Sequence, residues 1–471
     1  MIILARLFIL LLASTAKAQK GIGQASNFNI SKEVALSYGC NETCQEVLAI
    51  TNAGDLETMG TAFDFDFYKT ADNFSTSTPG DLLKLAAIDS SSLSVPAGMT
   101  TFRFQYTSRD LDGSPVPSTG FIAFPFAKPA RGQKLPLIAY AHGTIGVYRG
   151  CAPSSSPSFF NYDSWSPLIM RGYAIVGTDY AGLGNNFTTH KYSSYAAHAN
   201  DIYYSVKAAH KAFPGVFTKE WMSVGHSQGG GAVWKLSEHP LVQKASSGYL
   251  GTVAVSPGAK LYDTAKLVYN SYFPRPDFHQ YVVTAEMGPL VYGVMQAFPN
   301  YTCSWLGEAM KQRLELASLG QYCTLAFMGL SFDLSRAELI VSSENPAEDE
   351  TLKKFQAINA PAQGDSASRP LLIIHGWNDT SVIPENTVEA YHAAVAAGNE
   401  VHLVRYPGLD HSATLTASAP RWLEFLDDKF ARKRGNGKST DITVEPFDLA
   451  VAKAPLELPL NEQPLLGFLK Y

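Results

Sequence analysis

The sequence predicts an α/β fold: a doubly wound, mostly parallel sheet interrupted by an inserted helical cap. Three observations carry that expectation. From residue 135 onward, unbroken apolar runs alternate with helical patterns, as parallel strands buried on both faces require. One of those runs breaks into Gly-x-Ser-x-Gly, formed by Gly225, Ser227 and Gly229, where a strand would hand over to a helix. The alternation then stops over residues 259–365 and resumes at 371, which divides the sheet-forming sequence in two.

Bulk properties agree with a large enzyme-sized body. The chain has 471 residues, 46% of them hydrophobic and 17% charged, enough to bury a sizeable core and too many for one minimal domain. Its net charge of -5 offers no basic footprint, so a nucleic-acid partner is excluded from the expectations.

Taken in order, residues 1–18 have the pattern of a cleavable secretory signal, with Arg6, the apolar run 7–12 and Ala16-Lys17-Ala18. That run is too short to span a bilayer, and no later stretch reaches 18 apolar residues. A secreted protein with no transmembrane segment is expected. Asn-x-Ser/Thr sequons at Asn29, Asn41, Asn73, Asn186, Asn300 and Asn378 suit that route as glycosylation candidates. The cysteines Cys40, Cys44, Cys151, Cys303 and Cys323 would pair in an oxidising compartment, and their odd number leaves at least one thiol unpaired or joined to another chain. No second close Cys or His pair completes a tetrahedral set, so no metal is expected. Gly182-Leu183-Gly184 lacks the context of a dinucleotide loop and no Walker lysine follows a glycine cluster, so no cofactor is expected either.

Residues 19–95 are rich in Ser, Thr and Asn and form an N-terminal extension wrapped on the main domain. The first part of the core spans 96–258. Residues 101–107 alternate, with Phe102, Phe104 and Tyr106 on one face, and pair with 120–124 as an antiparallel opening. Buried strands follow at 137–141, 173–176, 221–224 and 251–255. Between residues 192 and 213, Tyr195, Ala199, Ile202, Val206, Ala209 and Phe213 make one helical face, ended by Pro214-Gly215. The cap insertion covers 259–365. Its aromatics, Tyr269, Tyr272, Phe273, Tyr281, Tyr292 and Phe298, are expected mostly in its core. The second core part, 366–432, supplies strands 371–374 and 401–405, a helix 387–397 closed by Gly398, and a helix 420–430. A proline-bearing tail, 433–471, ends the chain.

The chemistry follows from what a serine needs. Its hydroxyl is a poor nucleophile unless a base lies within hydrogen-bond reach and a third group fixes that base's tautomer. In this sheet topology the order is Ser, acid, His. Asp379 follows the strand 371–374 and His411 follows the strand 401–405, with room for one helix and one strand between them, so Ser227, Asp379 and His411 are the expected catalytic set. Asp410 is a rival acid, but its adjacency to His411 demands an awkward chain reversal. The oxyanion of an acyl-transfer transition state needs backbone donors. Gln228 supplies one amide, and Gly143 and Thr144, after the first parallel strand, supply the other. His226 should shape the serine turn, and Trp377 is expected to pack in the core.

In this order the motifs are recognisable. His142-Gly143-Thr144 leading to Cys151-Ala152-Pro153-Ser154, Asp179-Tyr180-Ala181-Gly182-Leu183-Gly184, Gly225 to Gly229, Trp377-Asn378-Asp379 through Pro384, and Asp410-His411 together resemble the fungal secretory lipases of the lipase A type, within the α/β-hydrolase superfamily. The resemblance covers roughly residues 95–430. It implies acyl-ester hydrolysis under a helical cap by Ser227, Asp379 and His411, and a disulfide between Cys151 and Cys323. Family members often carry an acidic side chain in the oxyanion loop, where this chain has Thr144. The expected function is therefore a secreted serine esterase or lipase, its partner an acyl ester at a lipid-water interface or in solution. Acyl transfer to a secondary metabolite by the same triad, and non-catalytic binding on the same fold, are the alternatives.

Overall fold

The computed structural model describes residues 21–160, 162–433 and 435–448; the expected signal segment and most of the C-terminal tail lie outside them. Ten strands build one sheet: β1 (Leu82–Ala87), β2 (Thr100–Arg109), β3 (Pro115–Phe124), β4 (Leu135–Ala141), β5 (Ala174–Thr178), β6 (Phe217–His226), β7 (Tyr249–Val255), β8 (Leu371–Gly376), β9 (Val401–Tyr406) and β10 (Thr440–Thr443). Their order across the sheet is β10-β9-β8-β7-β6-β4-β5-β3-β2-β1. From β5 to β10 the neighbours β5/β4, β4/β6, β6/β7, β7/β8, β8/β9 and β9/β10 are parallel. The β1/β2, β2/β3 and β3/β5 pairs are antiparallel.

The continuous apolar runs lie where two-sided burial is greatest. Every residue of β5 and of β8 is buried. Two strands of this sheet were not expected from the sequence. β1 falls in the stretch assigned to the extension, and β10 falls in the tail; both sit at sheet edges, and every residue of β10 is exposed. Each is held through backbone pairing to one neighbour, so neither needs an apolar pattern.

The helices that matter for the site are α1 (Glu42–Met59), α2 (Tyr195–Ala212), α3 (Gln228–Ser237), α4 (Val282–Ala297), α5 (Thr324–Gly329), α6 (Pro384–Ala396) and α7 (His411–Ala417). The inward stripe of α2 contains the predicted Tyr195, Ala199, Ile202, Val206 and Ala209, all buried. Between residues 261 and 359 helices alternate with turns and loops, and α4 and α5 line a cavity together with Ser227 at the end of β6.

The N-terminal extension is more tightly built into this helical layer than its composition suggested. Asp55, near the end of α1, accepts hydrogen bonds from the α5 amides of Leu325 (3.1 Å) and Ala326 (2.9 Å). These are first-turn donors that have no acceptor within their own helix. Burial nevertheless pushes the Asp55 carboxyl up to about 7.

Cys151 and Cys323 are joined by a disulfide, as are Cys40 and Cys44; Cys303 is a buried free thiol, and burial pushes its pKa up to about 12. The Cys151–Cys323 bridge, with a sequence separation of 172, ties the loop after β4 to the start of α5. Thr324 N–H also donates to Ile145 O at 3.0 Å. Chain entropy assigns a bridge of this span about 5 kcal/mol. The double variant Cys151→Ser, Cys323→Ser is therefore expected to unfold at lower temperature than the wild type in calorimetry. An unchanged Tm would remove the strap from the account.

Candidate active site

β6 delivers Ser227 at its carboxyl end with φ 58° and ψ -120°, a backbone conformation unfavourable to any side chain. The flanking glycines make the turn possible. A Cβ on Gly225 would lie 2.2 Å from Gly229 O, and one on Gly229 would lie 2.0 Å from Ala141 O, both far inside contact distance. The turn is pinned from behind, where Ser227 O accepts from Gly231 N–H and Gly258 N–H, each at 3.1 Å. Gln228 is the first residue of α3, so its N–H has no acceptor within the helix and lies at the positive end of the helix dipole.

His411 is the first residue of α7, and Asp410 is that helix's cap. Asp410 Oδ1 accepts from Ser412 N–H (3.1 Å) and Ala413 N–H (2.7 Å). The rival acid is thereby committed to the backbone, while Asp379 faces the imidazole: His411 Nδ1–H donates to Asp379 Oδ2 at 2.7 Å. Asp379 Oδ1 accepts from the amides of Ser381 (2.9 Å) and Val382 (2.8 Å).

A further residue, absent from the sequence expectation, contacts the Asp379 carboxylate. His375 Nε2, at the end of β8, lies 3.1 Å from Asp379 Oδ2 and 2.9 Å from Val382 O. A histidine closing a fully buried apolar strand four residues before the acid is the signal that could have found it.

The charges follow from these contacts. Burial alone would raise the Asp379 carboxyl, but His411 and His375 hold it well below the ordinary carboxylate range. Burial alone would depress His411, and the Asp379 carboxylate more than offsets it, leaving the imidazole above its ordinary value. His226 is driven down to about 3 by burial and by the neighbouring His411. Neutral His226 donates from Nε2 to His411 O at 3.2 Å, and the two rings lie 4.5 Å apart, so the residue before the serine also holds the start of α7 in place.

On the other side of Ser227, the expected oxyanion loop runs close by: a Cβ on Gly143 would be 3.5 Å from Ser227 Cβ, an ordinary contact distance. The Thr144 hydroxyl is hydrogen-bonded to Tyr192 Oη at 2.8 Å. Asp179, at the end of β5, is scaffold: its carboxylate accepts from Thr119 Oγ1 (2.6 Å), Ser154 N–H (2.8 Å) and Ser154 Oγ (2.5 Å). Trp377 departs from the core position expected for it. It is 39% exposed, and the Arg405 guanidinium stacks 4.8 Å from its ring, because the residue after β8 points out of the sheet end.

Two cavities meet at Ser227. The larger, of about 350 Å³, contains His226 and His411 and is walled by Ile145, Val282, Leu325 and Met328 together with Asp55 and Met59 of α1. The smaller, of about 50 Å³, is lined by Gln228, Tyr192, Leu261, Met287 and Leu290. Thr144, Glu286 and Ser381 border both. Glu286 is a lone acid in the apolar run of α4. It accepts from Ser381 Oγ at 2.6 Å, and burial pushes it up to about 7. Neither Asp55 nor Glu286 was singled out from the sequence. An isolated carboxylate in an otherwise apolar helix is a weak but readable signal for the second; nothing local marks the first.

Comparison with known proteins agrees with this architecture. The prolyl oligopeptidase family profile matches residues 327–436, a span that includes Asp379 and His411 but not Ser227. The closed-state structure of Candida antarctica lipase A superposes with a TM-score of 0.62 at 15% identity, covering 85% of this chain and 93% of that one. The rice cell wall degrading esterase LipA from Xanthomonas oryzae superposes at 0.60 and 18% identity, covering 76% of this chain and 100% of that one. No curated protein sequence matches the chain. The fold is that of the α/β-hydrolases.

Proposed function

We propose that the protein is a serine hydrolase of carboxylic esters, exported from the cell and akin to the fungal secretory lipases. The observation that carries this reading is the convergence of a strained serine turn and a His411–Asp379 pair on one apolar-walled cavity. Ser227 Oγ attacks the ester carbonyl. His411 Nε2, the nitrogen left free by the Asp379 bond, takes the serine proton and returns it to the leaving alcohol. The amide of Gln228, with Gly143 and Thr144 opposite, meets the oxyanion; losing one such donor typically costs about 2.7–4 kcal/mol. Water then repeats the sequence to release the acid.

Export is supported by the apolar leader and by the two disulfides, which persist in oxidising compartments. Each of the six sequon asparagines is exposed, as glycosylation requires. Among the described residues, no helix is long and apolar enough to cross a membrane.

The prolyl oligopeptidase match makes peptide cleavage the second reading. A direct comparison of p-nitrophenyl butyrate with a proline p-nitroanilide separates the two. Ester turnover without release of p-nitroaniline is expected; preferred cleavage of the anilide would replace the esterase by a peptidase.

A further inference from the structure

The two cavities that meet at Ser227 differ in size and in the catalytic groups they contain. His411 borders the chamber of about 350 Å³ and not the one of about 50 Å³. Gln228 borders the small chamber and not the large one. In acyl transfer the general acid must reach the oxygen of the departing alcohol, so the alcohol part of an ester lies on the histidine side. The acyl chain leaves the carbonyl carbon in the other direction, past the nucleophile and the amide that follows it.

On this basis we propose that the substrate is a short-chain ester of a bulky apolar alcohol: the acyl group, acetyl to butanoyl, occupies the small chamber and the alcohol occupies the large one. This rests on the reading of Ser227 as an acylating nucleophile. Space sets the acyl limit. The small chamber has about one seventh of the large one's volume, about 50 against about 350 Å³, so it takes the smaller end of the ester. The far wall gives little room to expand, because Leu261, Met287 and Leu290 are all buried in the packed helical layer. The large chamber falls in the range of pockets that enclose drug-sized molecules, and its walls are mostly apolar.

The reaction balances without a further reagent. The Ser227 Oγ–acyl bond forms as the acyl–alcohol C–O bond breaks, and the serine proton passes through His411 to the alcohol. Water then adds across the acyl-serine bond, giving the short acid and restoring the serine hydroxyl.

The test uses the full chain with p-nitrophenyl acetate, butanoate, octanoate and dodecanoate. The expected result is a fall in kcat/KM of at least tenfold from butanoate to octanoate. In Met287→Ala, which opens the small chamber, the octanoate-to-butanoate ratio should rise about tenfold. The wild-type series decides the matter even where that variant does not fold. A series that stays level or rises to octanoate or beyond overturns the chamber assignment alone, leaving the hydrolase intact. Absence of turnover at every chain length overturns the hydrolase reading and takes this inference with it.

Discussion

Replacing Ser227 by alanine is expected to lower kcat for ester hydrolysis by about 10⁶-fold, the scale at which loss of the nucleophile removes the whole covalent route. Alanine faces the same backbone demand at φ 58° as serine, so folding should be retained and the loss should appear in activity. The measurement is steady-state turnover of p-nitrophenyl butanoate alongside a thermal melt. A Ser227→Ala protein with wild-type Tm and wild-type kcat would show that the strained turn is not where the chemistry happens.

Changing Asp379 to asparagine should cost about 10⁴-fold in kcat, because an amide at that position no longer holds His411 in the tautomer whose Nε2 accepts the serine proton. The pH profile gives a second readout with a definite sign. His411 must be neutral to act as base, and in the wild type its pKa is raised by the Asp379 carboxylate. Activity should therefore climb with pH through a value above 6.5. Without that carboxylate, burial is left as the dominant influence and favours the neutral ring. The acidic limb of the residual activity should move to lower pH. A limb that stays in place would mean that another group titrates there.

The sheet, and the strand ends at which Ser227, Asp379 and His411 stand, were legible for a physical reason. Buried parallel strands must be apolar along their whole length, so β4 to β9 announce themselves. Catalytic groups must follow their carboxyl ends, which confines the search to a few residues each. Asp379 and Asp410 could be ranked because one precedes the helix and strand leading to His411 and the other abuts it. The structure adds the reason, in the two amides that Asp410 caps.

What was not legible depends on contacts between segments far apart in the chain. α1 carries no strong amphipathic pattern, and its Asp55 and Met59 become cavity walls only because the chain folds them against α5, some 270 residues later. β1 and β10 escape pattern reading because edge strands bury little. The division of the site into a wide and a narrow chamber arises from helices converging out of different parts of the chain, a shape that no local spacing encodes.

On this reading Ser227 is an activated nucleophile in the cavity. Intact-mass analysis after exposure to a fluorophosphonate tests it most directly. One covalent adduct per chain, mapped to the peptide bearing Ser227 and absent from Ser227→Ala, is the predicted result; an unlabelled wild type, or an adduct that survives the substitution, would contradict it.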